Sequence, residues 1–433
     1  MKRILFLVAC MFLSGISLSG CGTEQKVTEA AVAEDSENQE LILAGIDLDA
    51  DVLSAVTVFN ETSNGIVITV KDYGDGSGVL SDDTLVKVCK DVMNGDIPDM
   101  YIMSSASIWP VDFLNSQSVF VDLYPFLDDD STISRDDFFS TILKTAQKDD
   151  ELCCFPVSYM LKGIWGLPEY CDGTRFPVDR VSELCQLYPE NHMLFGVFSS
   201  MDLINMEVSQ NLDSYVNWET RACDFASEEF INVLKAAGNL PGYRPTDRDE
   251  TMDYAAGTYL LEGRQFFAPY TVSDFKAYIM MTESMEFNPY GGDMVSMTLT
   301  DSEVALDIQS SFAITGACSD PNAAWQFLRT FLELEYQQSL STATSPALPV
   351  NIHAFTAETD RLLTENNGTK ADFDRILELV ESVKVDITSD VRIESILYEE
   401  ATAYFSGKQT VEDAARMIQE RVSAYLMEYE ELS

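Results

Sequence analysis

The chain has 433 residues, which at roughly 150 residues per domain allows two or three domains. Hydrophobic residues make up 46% and charged residues 23%, a balance typical of a folded globular protein. The 72 acidic and 27 basic residues give a formal net charge of -45, which argues against a nucleic-acid partner because phosphate binding needs clustered Lys and Arg. The same charge disfavours a strongly anionic ligand. Only two histidines are present, so no metal or catalytic site built on a His pair at helix spacing is predicted.

The N-terminus has the pattern of a secretory signal. Lys2 and Arg3 precede an apolar run from Ile4 to Leu18, which is shorter than the ~20 residues of a membrane-spanning helix. Leu18 to Cys21 then resembles the lipobox of bacterial lipoproteins. The resemblance implies that residues 1–20 are removed and that Cys21 receives the lipid (palmitate) that holds the chain at the outer face of the cell membrane. Plain secretion is the alternative, and residues 21–40, rich in Glu, Asp, Ser and Ala, are predicted to form a disordered tether.

Seven cysteines follow Cys21, and none of them has the C-x-x-C spacing of a zinc or redox centre. An odd number leaves at least one thiol unpaired within a single chain. Isolated buried thiols are predicted for most of them. A bridge between the adjacent Cys153 and Cys154 is the alternative. The seven are Cys89, Cys153, Cys154, Cys171, Cys185, Cys223 and Cys318.

Strands and helices alternate in the first part of the chain. Apolar and β-branched runs predict strands, and apolar residues at 3.6-residue spacing predict the helices between them. The predicted strands are 41–44, 66–70 and 99–103, and the predicted helices are 51–61 and 81–94, the second ending at the C-cap signal Asn94-Gly95. A βαβαβ order predicts a parallel sheet, and ligands of such sheets bind beyond the carboxyl ends of the strands. The loops at those ends are 47–50, 71–80 and 104–109.

The rest of the chain mixes helices with shorter strands. Asp320 and Pro321 are predicted to begin a helix as its N-cap and first residue. Ser406-Gly407 is predicted to separate two C-terminal helices. The other predicted elements are a helix at 135–148, an extended segment at 152–159, a strand at 303–315 and a connector at 341–351.

Residues 47–51 read Asp-Leu-Asp-Ala-Asp, which is how a calcium-binding loop of the EF-hand type begins. Val52 stands where that loop needs Gly and Val58 where it needs Glu, so the segment is interpreted as an acidic loop that enters a helix. No metal or cofactor site is predicted. A glycoside hydrolase with paired carboxylates remains an alternative, although the sequence favours no particular pair.

Four aromatic residues lie beside Gly, Ser or Pro at predicted strand ends rather than at helix-core spacing. They are Trp109, Tyr159, Trp165 and Tyr270. Sugars stack their apolar faces on such rings while their hydroxyls bind polar groups. The four are therefore predicted to contact a sugar, with burial in the core as the alternative for each. On this prediction Tyr270→Ala weakens sugar binding by at least about tenfold.

Six segments along the chain carry short motifs, among them Asn-Gly-Asp-Ile-Pro-Asp-Met within 93–100 and Asp-Pro-Asn-Ala-Ala-Trp within 310–328. The segments are 93–100, 121–127, 155–159, 310–328, 348–351 and 405–414. Their order resembles that of the extracellular solute-binding lipoproteins of ABC importers (family 1), which include maltose-binding proteins. The resemblance covers nearly everything from Leu41 to the end of the chain.

The resemblance implies an α/β, two-lobed periplasmic-binding-protein-like fold of class II. Three crossings would join the lobes, and hinge bending would close a ligand cleft between them. Lobe 1 would comprise 41–156 and 306–345, and lobe 2 would comprise 157–305 and 346–433.

The resemblance also implies ligand contacts at particular residues. Asp47 follows the first strand, Ser104 and Ser105 lie in the loop after the third, and Tyr159 follows the first crossing. Tyr270 falls where an aromatic platform is common, and Glu394 lies near a further contact position. Met103 stands where some relatives carry a stacking aromatic, which leaves the size of the sugar open.

Together these patterns predict a non-enzymatic solute receptor, tethered to the membrane on its extracytoplasmic face. It would capture a neutral sugar or oligosaccharide, as a monomer and without a cofactor, and deliver it to the transmembrane subunits of an ABC permease. A secreted glycoside hydrolase and a surface lipoprotein that binds another protein are the alternatives.

Overall fold

The computed structural model describes residues 39–431, with gaps at 64, 77–81, 105–108, 110–113, 115–118, 167–169, 171–175, 177, 188–198, 241–266, 286–294, 298–301 and 344. The predicted signal, Cys21, Ser105 and residues 22–38 of the predicted tether lie outside the described residues. Gln39 and Glu40, which were predicted to belong to the disordered tether, instead begin the first strand of the sheet. No helix in the described ranges is both long and apolar enough to cross a membrane.

The N-terminal strands and helices follow the predicted order, and β1 pairs in parallel with both β2 and β3. The elements are β1 (Gln39–Gly45), α1 (Ala50–Thr62), β2 (Ile66–Asp72), α2 (Asp82–Met93) and β3 (Met100–Ser104). Asp49 caps α1, since its carboxylate accepts a hydrogen bond from the Val52 N–H at 2.9 Å. Gly95 adopts φ +79 after α2, the left-handed conformation that the C-cap signal predicts. The acidic loop that enters a helix is thereby confirmed.

Three chain segments come together in the middle of the main sheet. They are β4 (Phe155–Gly166), β9 (Ala305–Ile314) and β10 (Leu348–Pro349), and the strand order is β10-β4-β9-β3-β1-β2. β9 runs antiparallel to both β3 and β4, so it links the parallel strands to the long β4. The far end of β4 pairs with β7 (Phe267–Val272) and β8 (Val295–Met297). The three segments predicted to cross between lobes therefore lie side by side.

The helix predicted at 135–148 is broken in the structure. A 3₁₀ turn (Arg135–Asp137) precedes a short helix (Ser140–Ala146), and two phenylalanines separate them. Phe138 forms a β-bridge with Asn351, and the Phe139 N–H donates to the Val350 carbonyl at 3.3 Å. Because these backbone groups bind a segment about 210 residues away in the chain, they cannot also continue the helix. The prediction of one continuous helix was therefore wrong, because local periodicity does not reveal this pairing with a distant segment.

Helices cover the faces of the sheet, and the predicted start at Asp320 is confirmed by a 3.0 Å hydrogen bond from the Ala323 N–H to its carboxylate. Numbered in chain order, with Ser140–Ala146 as α4, the others are α3 (Tyr124–Asp129), α5 (Val181–Leu187), α6 (Ser200–Tyr215), α7 (Glu228–Gly238), α8 (Phe275–Met285), α9 (Pro321–Leu328), α10 (Leu334–Ser339), α11 (Ile352–Thr364), α12 (Lys370–Ser382), α13 (Val391–Phe405) and α14 (Val411–Glu431). A small hairpin, β5 (Val216–Asn217) with β6 (Ala222–Cys223), follows α6. Gly407, at φ +70, separates the two C-terminal helices as predicted.

Six of the seven predicted thiols are described, and the free thiols among them include Cys89, Cys153, Cys185, Cys223 and Cys318. Cys171 lies outside the described residues. Burial raises the pKa of Cys89 to about 12 and that of Cys153 to about 11, so both stay protonated at neutral pH. Their chemistry is that of small packed side chains rather than of nucleophiles.

An ion pair ties β4 to β9. The Lys162 ammonium lies 2.7 Å from Oδ2 of Asp307, whose side chain is only 4% exposed. Oδ1 of Asp307 has no hydrogen-bond partner within the described part of the chain. Among the described residues, the stability of this buried carboxylate therefore depends on its ion pair with Lys162.

We expect Lys162→Met to lower the free energy of unfolding by about 1–3 kcal/mol, the cost of leaving a buried acceptor unsatisfied. Urea denaturation measures the difference. The double variant Lys162→Met, Asp307→Leu is expected to recover part of the loss, because replacing both members of a buried pair by apolar groups is often neutral. A single variant as stable as the parent would show that water reaches Asp307.

Candidate functional site

A cavity of about 470 Å³ opens beside the carboxyl ends of β1 and β3, against β4 and β9. Its volume falls within the roughly 300–1,000 Å³ of typical small-molecule sites. The polar residues that line it are Asp47, Asp49, Asp51, Ser104, Ser158, Gln309, Ser310, Tyr336 and Ser345. The apolar residues that line it are Ala50, Val52, Ile102, Val157, Met160, Phe331, Leu340, Ala343 and Ala347. The cavity therefore occupies the position that the βαβαβ order predicts for a ligand.

Asp47 is held in place by the loop that follows β2. Its backbone has φ +48, a left-handed conformation that Asp tolerates better than most residues, and its N–H donates to the Asp72 carboxylate at 2.9 Å. Its own carboxylate accepts from the Gly76 N–H at 2.8 Å. A Cβ on Gly74 would lie 1.9 Å from that carboxylate, so this position requires glycine. Two loops at the carboxyl ends of neighbouring strands are thus locked together at the cavity wall.

Three serines form a row across three adjacent strands, which we call the serine row (Ser104, Ser310 and Ser158). Ser310 of β9 is the register partner of Ser104 on β3 and of Ser158 on β4. All three line the cavity, and Ser158 is only 5% exposed. No described group forms a hydrogen bond with any of the three hydroxyls. Each hydroxyl can donate one hydrogen bond and accept two, so the row presents unused polar capacity to the cavity.

Tyr336 of α10 supplies an aromatic wall. Its ring packs edge-on against Phe331 at 5.0 Å between centroids, and both residues line the cavity. Burial raises the pKa of the Tyr336 hydroxyl, and the nearby Asp49 and Asp51 carboxylates raise it further. The phenol therefore stays neutral and can offer a ring face together with a hydrogen-bonding group.

Of the residues predicted to bind ligand, Asp47 and Ser104 line this cavity. Other residues also line it that were not predicted to bind ligand, namely Asp49, Asp51, Ser158, Ser310 and Tyr336. The pairing of Ser158 with Ser310 depends on a strand register between segments about 150 residues apart, for which the sequence contains no local signal.

The structure places Tyr159 and Trp109 in the hydrophobic core and not on the cavity. Tyr159 is fully buried, and burial holds the pKa of its hydroxyl well above the usual range. Side chains of successive strand residues point to opposite faces, so Ser158 and Met160 reach the cavity while Tyr159 between them enters the core. Trp109 is 3% exposed and packs edge-on against Tyr101 at 6.0 Å.

Trp165 and Tyr270 are also core residues that do not line the cavity. They are 6% and 3% exposed, and their rings meet edge-to-face at 4.6 Å across the β4–β7 pair. Tyr278 of α8 packs on the same cluster at 6.5 Å from each ring. Their position beside strand ends, on which the stacking prediction depends, does not determine which face of the sheet they occupy.

Glu394 lies in the first turn of α13, where its carboxylate accepts from the Ser389 hydroxyl at 2.6 Å. It lines a separate space of about 10 Å³, together with Asn205, Ser209 and Asp390. That volume holds about one water molecule and cannot hold a sugar.

Within the described ranges, no group of three or more His, Cys, Asp or Glu side chains is arranged to hold a metal ion. This finding includes the three aspartates of the loop that enters α1.

No family model matches the sequence, and no curated protein matches it either. Solved structures do match. The sugar-binding protein MalE from Xanthomonas citri has a TM-score of 0.58 at 13% identity, over 90% of this chain and 98% of its own. An ABC substrate-binding protein from Listeria monocytogenes, in complex with cycloalternan, has a TM-score of 0.55 at 12% identity, over 90% and 99%. A cyclic α-maltosyl-1,6-maltose binding protein from Arthrobacter globiformis has a TM-score of 0.52 at 16% identity, over 89% and 98%.

Most of the matched structures are named as solute-binding proteins, and one is a designed cysteine esterase. Identities of this size establish the fold and nothing finer. The chain therefore has the two-lobed α/β fold of the extracellular solute-binding proteins, as the order of its motifs predicts.

Proposed function

We propose that this protein captures a sugar or oligosaccharide in the 470 Å³ cavity and delivers it to the membrane subunits of an ABC importer. The observation that carries the proposal is the serine row. Its three hydroxyls have no hydrogen-bond partner within the described residues, although Ser158 is almost fully buried. Ser104 and Ser310 are partly exposed and line the same cavity, so the row is a polar surface whose hydroxyls can pair with those of a ligand.

A sugar supplies those partners well. Each of its hydroxyls both donates and accepts, while its C–H faces are apolar and stack on aromatic rings. The cavity offers both kinds of surface, the serine row on one side and Tyr336 with Phe331 on another. The names of the matched sugar-binding proteins support the same ligand class.

Capture would work by a shift in conformational population. The two lobes, 41–156 with 306–345 and 157–305 with 346–433, would be joined by β4, β9 and β10. Bending at these strands would bring the lobes together around the sugar, and the sugar would stabilise the closed form because only that form contacts it from both sides. The permease would then recognise the closed form.

The proposed ligand contacts are Asp47, Ser104, Ser158, Ser310 and Tyr336. The protein would act as a binding monomer and not as an enzyme. It would be held at the extracytoplasmic face of the membrane by a lipid on Cys21, with the residues before Gln39 as the tether.

Isothermal titration calorimetry against a panel of neutral mono- and oligosaccharides tests the proposal. We expect at least one sugar to bind with a dissociation constant near or below about 1 μM, equivalent to roughly -8 kcal/mol. Thermal-shift screening of the same panel should rank the sugars in the same order, since binding to the folded state alone raises stability. No binding by any member of the panel would contradict the proposal.

Tyr336→Ala is expected to weaken binding of the best sugar by about tenfold, because it removes the ring face of the cavity. Tyr336→Phe should keep most of the affinity, since it retains the ring. Tyr398→Ala is the matched control, because Tyr398 is 56% exposed and does not line the cavity. Equal affinity of the Tyr336→Ala variant and the parent would remove Tyr336 from the site.

A further inference from the structure

The charged residues that line the cavity are all acidic. Asp47, Asp49 and Asp51 line one wall, and none of the described residues that line the cavity is Lys, Arg or His. On the basis of the proposed function, we infer that the site prefers sugars that carry a protonated amino group, and that Asp51 determines this preference.

The three carboxylates are not equally available to a ligand. Asp47 accepts a hydrogen bond from the Gly76 N–H at 2.8 Å, and Asp49 accepts one from the Val52 N–H at 2.9 Å. The carboxylate of Asp51, in the first turn of α1, makes no hydrogen bond and no ion pair with any described residue. It is also solvent-exposed. Of the three carboxylates, that of Asp51 is therefore the one whose accepting capacity is least used within the described residues.

Acidic residues near a helix N-terminus also have a purely structural use, because they stabilise the helix dipole. A second observation therefore has to indicate a ligand at this place, and Ser158 provides it. Its hydroxyl faces the same cavity, the residue is 5% exposed, and no described group pairs with that hydroxyl. The lining thus presents a buried residue whose hydroxyl matches a sugar hydroxyl and an exposed carboxylate that matches a cation.

A ligand that matches both the Ser158 hydroxyl and the Asp51 carboxylate is a polyol with an amine, and an amino sugar is the simplest such molecule. An ammonium group has three N–H donors and no acceptor, so it can bind the Asp51 carboxylate directly. The carboxylate of a sugar acid in the same position would be repelled by three like charges. Because Asp51 is exposed, added salt screens this attraction.

Three monosaccharides with the same ring test the inference: glucosamine, glucose and glucuronate. Affinities are measured by ligand-observed NMR at about pH 6, where the amine is protonated, for the native protein and for Asp51→Asn. We expect glucosamine to bind at least tenfold more tightly than glucose, equivalent to about 1.4 kcal/mol, and glucuronate to bind most weakly. In Asp51→Asn the ratio between glucosamine and glucose should fall to within about threefold, and in the native protein raising the salt concentration should lower it.

Asp136→Asn is the matched control, because Asp136 is an exposed acid in the first turn of a 3₁₀ helix and does not line the cavity. This variant should keep the full preference for glucosamine. Thermal unfolding of Asp51→Asn, followed by circular dichroism, measures any loss of stability. A purely helix-stabilising role of Asp51 would lower the stability and leave the ratio of affinities unchanged, whereas a ligand role lowers the ratio.

Equal affinities for glucosamine and glucose in the native protein would overturn the inference and leave sugar capture standing. Failure of glucosamine to bind while neutral sugars bind would also overturn it. If no neutral sugar of the calorimetry panel bound, the proposed function itself would be contradicted. Failure of this inference is therefore distinguishable from failure of the proposed function.

Discussion

Replacing Tyr270 with alanine is expected to lower the free energy of unfolding by about 3–5 kcal/mol, the usual cost of truncating a buried aromatic residue. Tyr270 is 3% exposed, and its ring contacts Trp165 at 4.6 Å and Tyr278 at 6.5 Å. Removing it would leave a cavity between β7 and α8 that these rigid rings cannot fill. Guanidinium denaturation measures this loss of stability, and we expect the dependence of the free energy of unfolding on denaturant concentration to stay the same.

The matched variant Tyr270→Phe separates the ring from the hydroxyl. The Tyr270 hydroxyl has no hydrogen-bond partner within the described part of the chain, so its removal should change stability by less than about 1 kcal/mol. Neither variant should change the affinity for sugar at temperatures where it remains folded. A Tyr270→Ala variant of normal stability that binds sugar at least about tenfold more weakly would instead restore the aromatic platform predicted from the sequence.

Replacing Ser158 with leucine is expected to weaken sugar binding by at least about a hundredfold, or about 2.7 kcal/mol. The substitution removes a hydroxyl from the serine row and places a branched side chain in space that the sugar would occupy. The variant should still fold, because the added atoms enter an existing cavity of about 470 Å³ rather than packed core. Calorimetry with the best sugar of the panel measures the effect.

Two further variants show whether the hydroxyl or the space matters. Ser158→Ala should weaken binding by only about fivefold to tenfold, because it removes one hydrogen bond and leaves the space open. Ser200→Ala serves as the control, since Ser200 is 4% exposed but bonds the Leu240 carbonyl and does not line the cavity. A Ser158→Leu variant that binds sugar normally would exclude the serine row from the site.

Features encoded by a few neighbouring residues could be predicted from the sequence. The N-cap at Asp320, the C-cap at Gly95 and the break at Gly407 depend on interactions within one or two turns of a helix. The βαβαβ order also follows from local periodicity, and the cavity opens beside the loops after β1 and β3, where that order predicts a ligand. Asp47 and Ser104 were predicted because they lie in those loops.

Features that depend on distant pairing could not be predicted in this way. The helix predicted at 135–148 is interrupted because Phe138 and Phe139 pair with residues near 350. Ser158 joins Ser104 only through Ser310, which belongs to a strand much later in the chain. An aromatic ring beside a strand end can face either side of the sheet, and strand alternation places Tyr159 on the core side.

A crystal structure of the protein with the tightest-binding sugar of the panel tests the central claim most directly. We expect the sugar to occupy the cavity at the carboxyl ends of β1 and β3, with its hydroxyls within hydrogen-bonding distance of Ser104, Ser158 and Ser310. A sugar bound elsewhere on the protein, with all three serine hydroxyls still unpaired, would contradict the account.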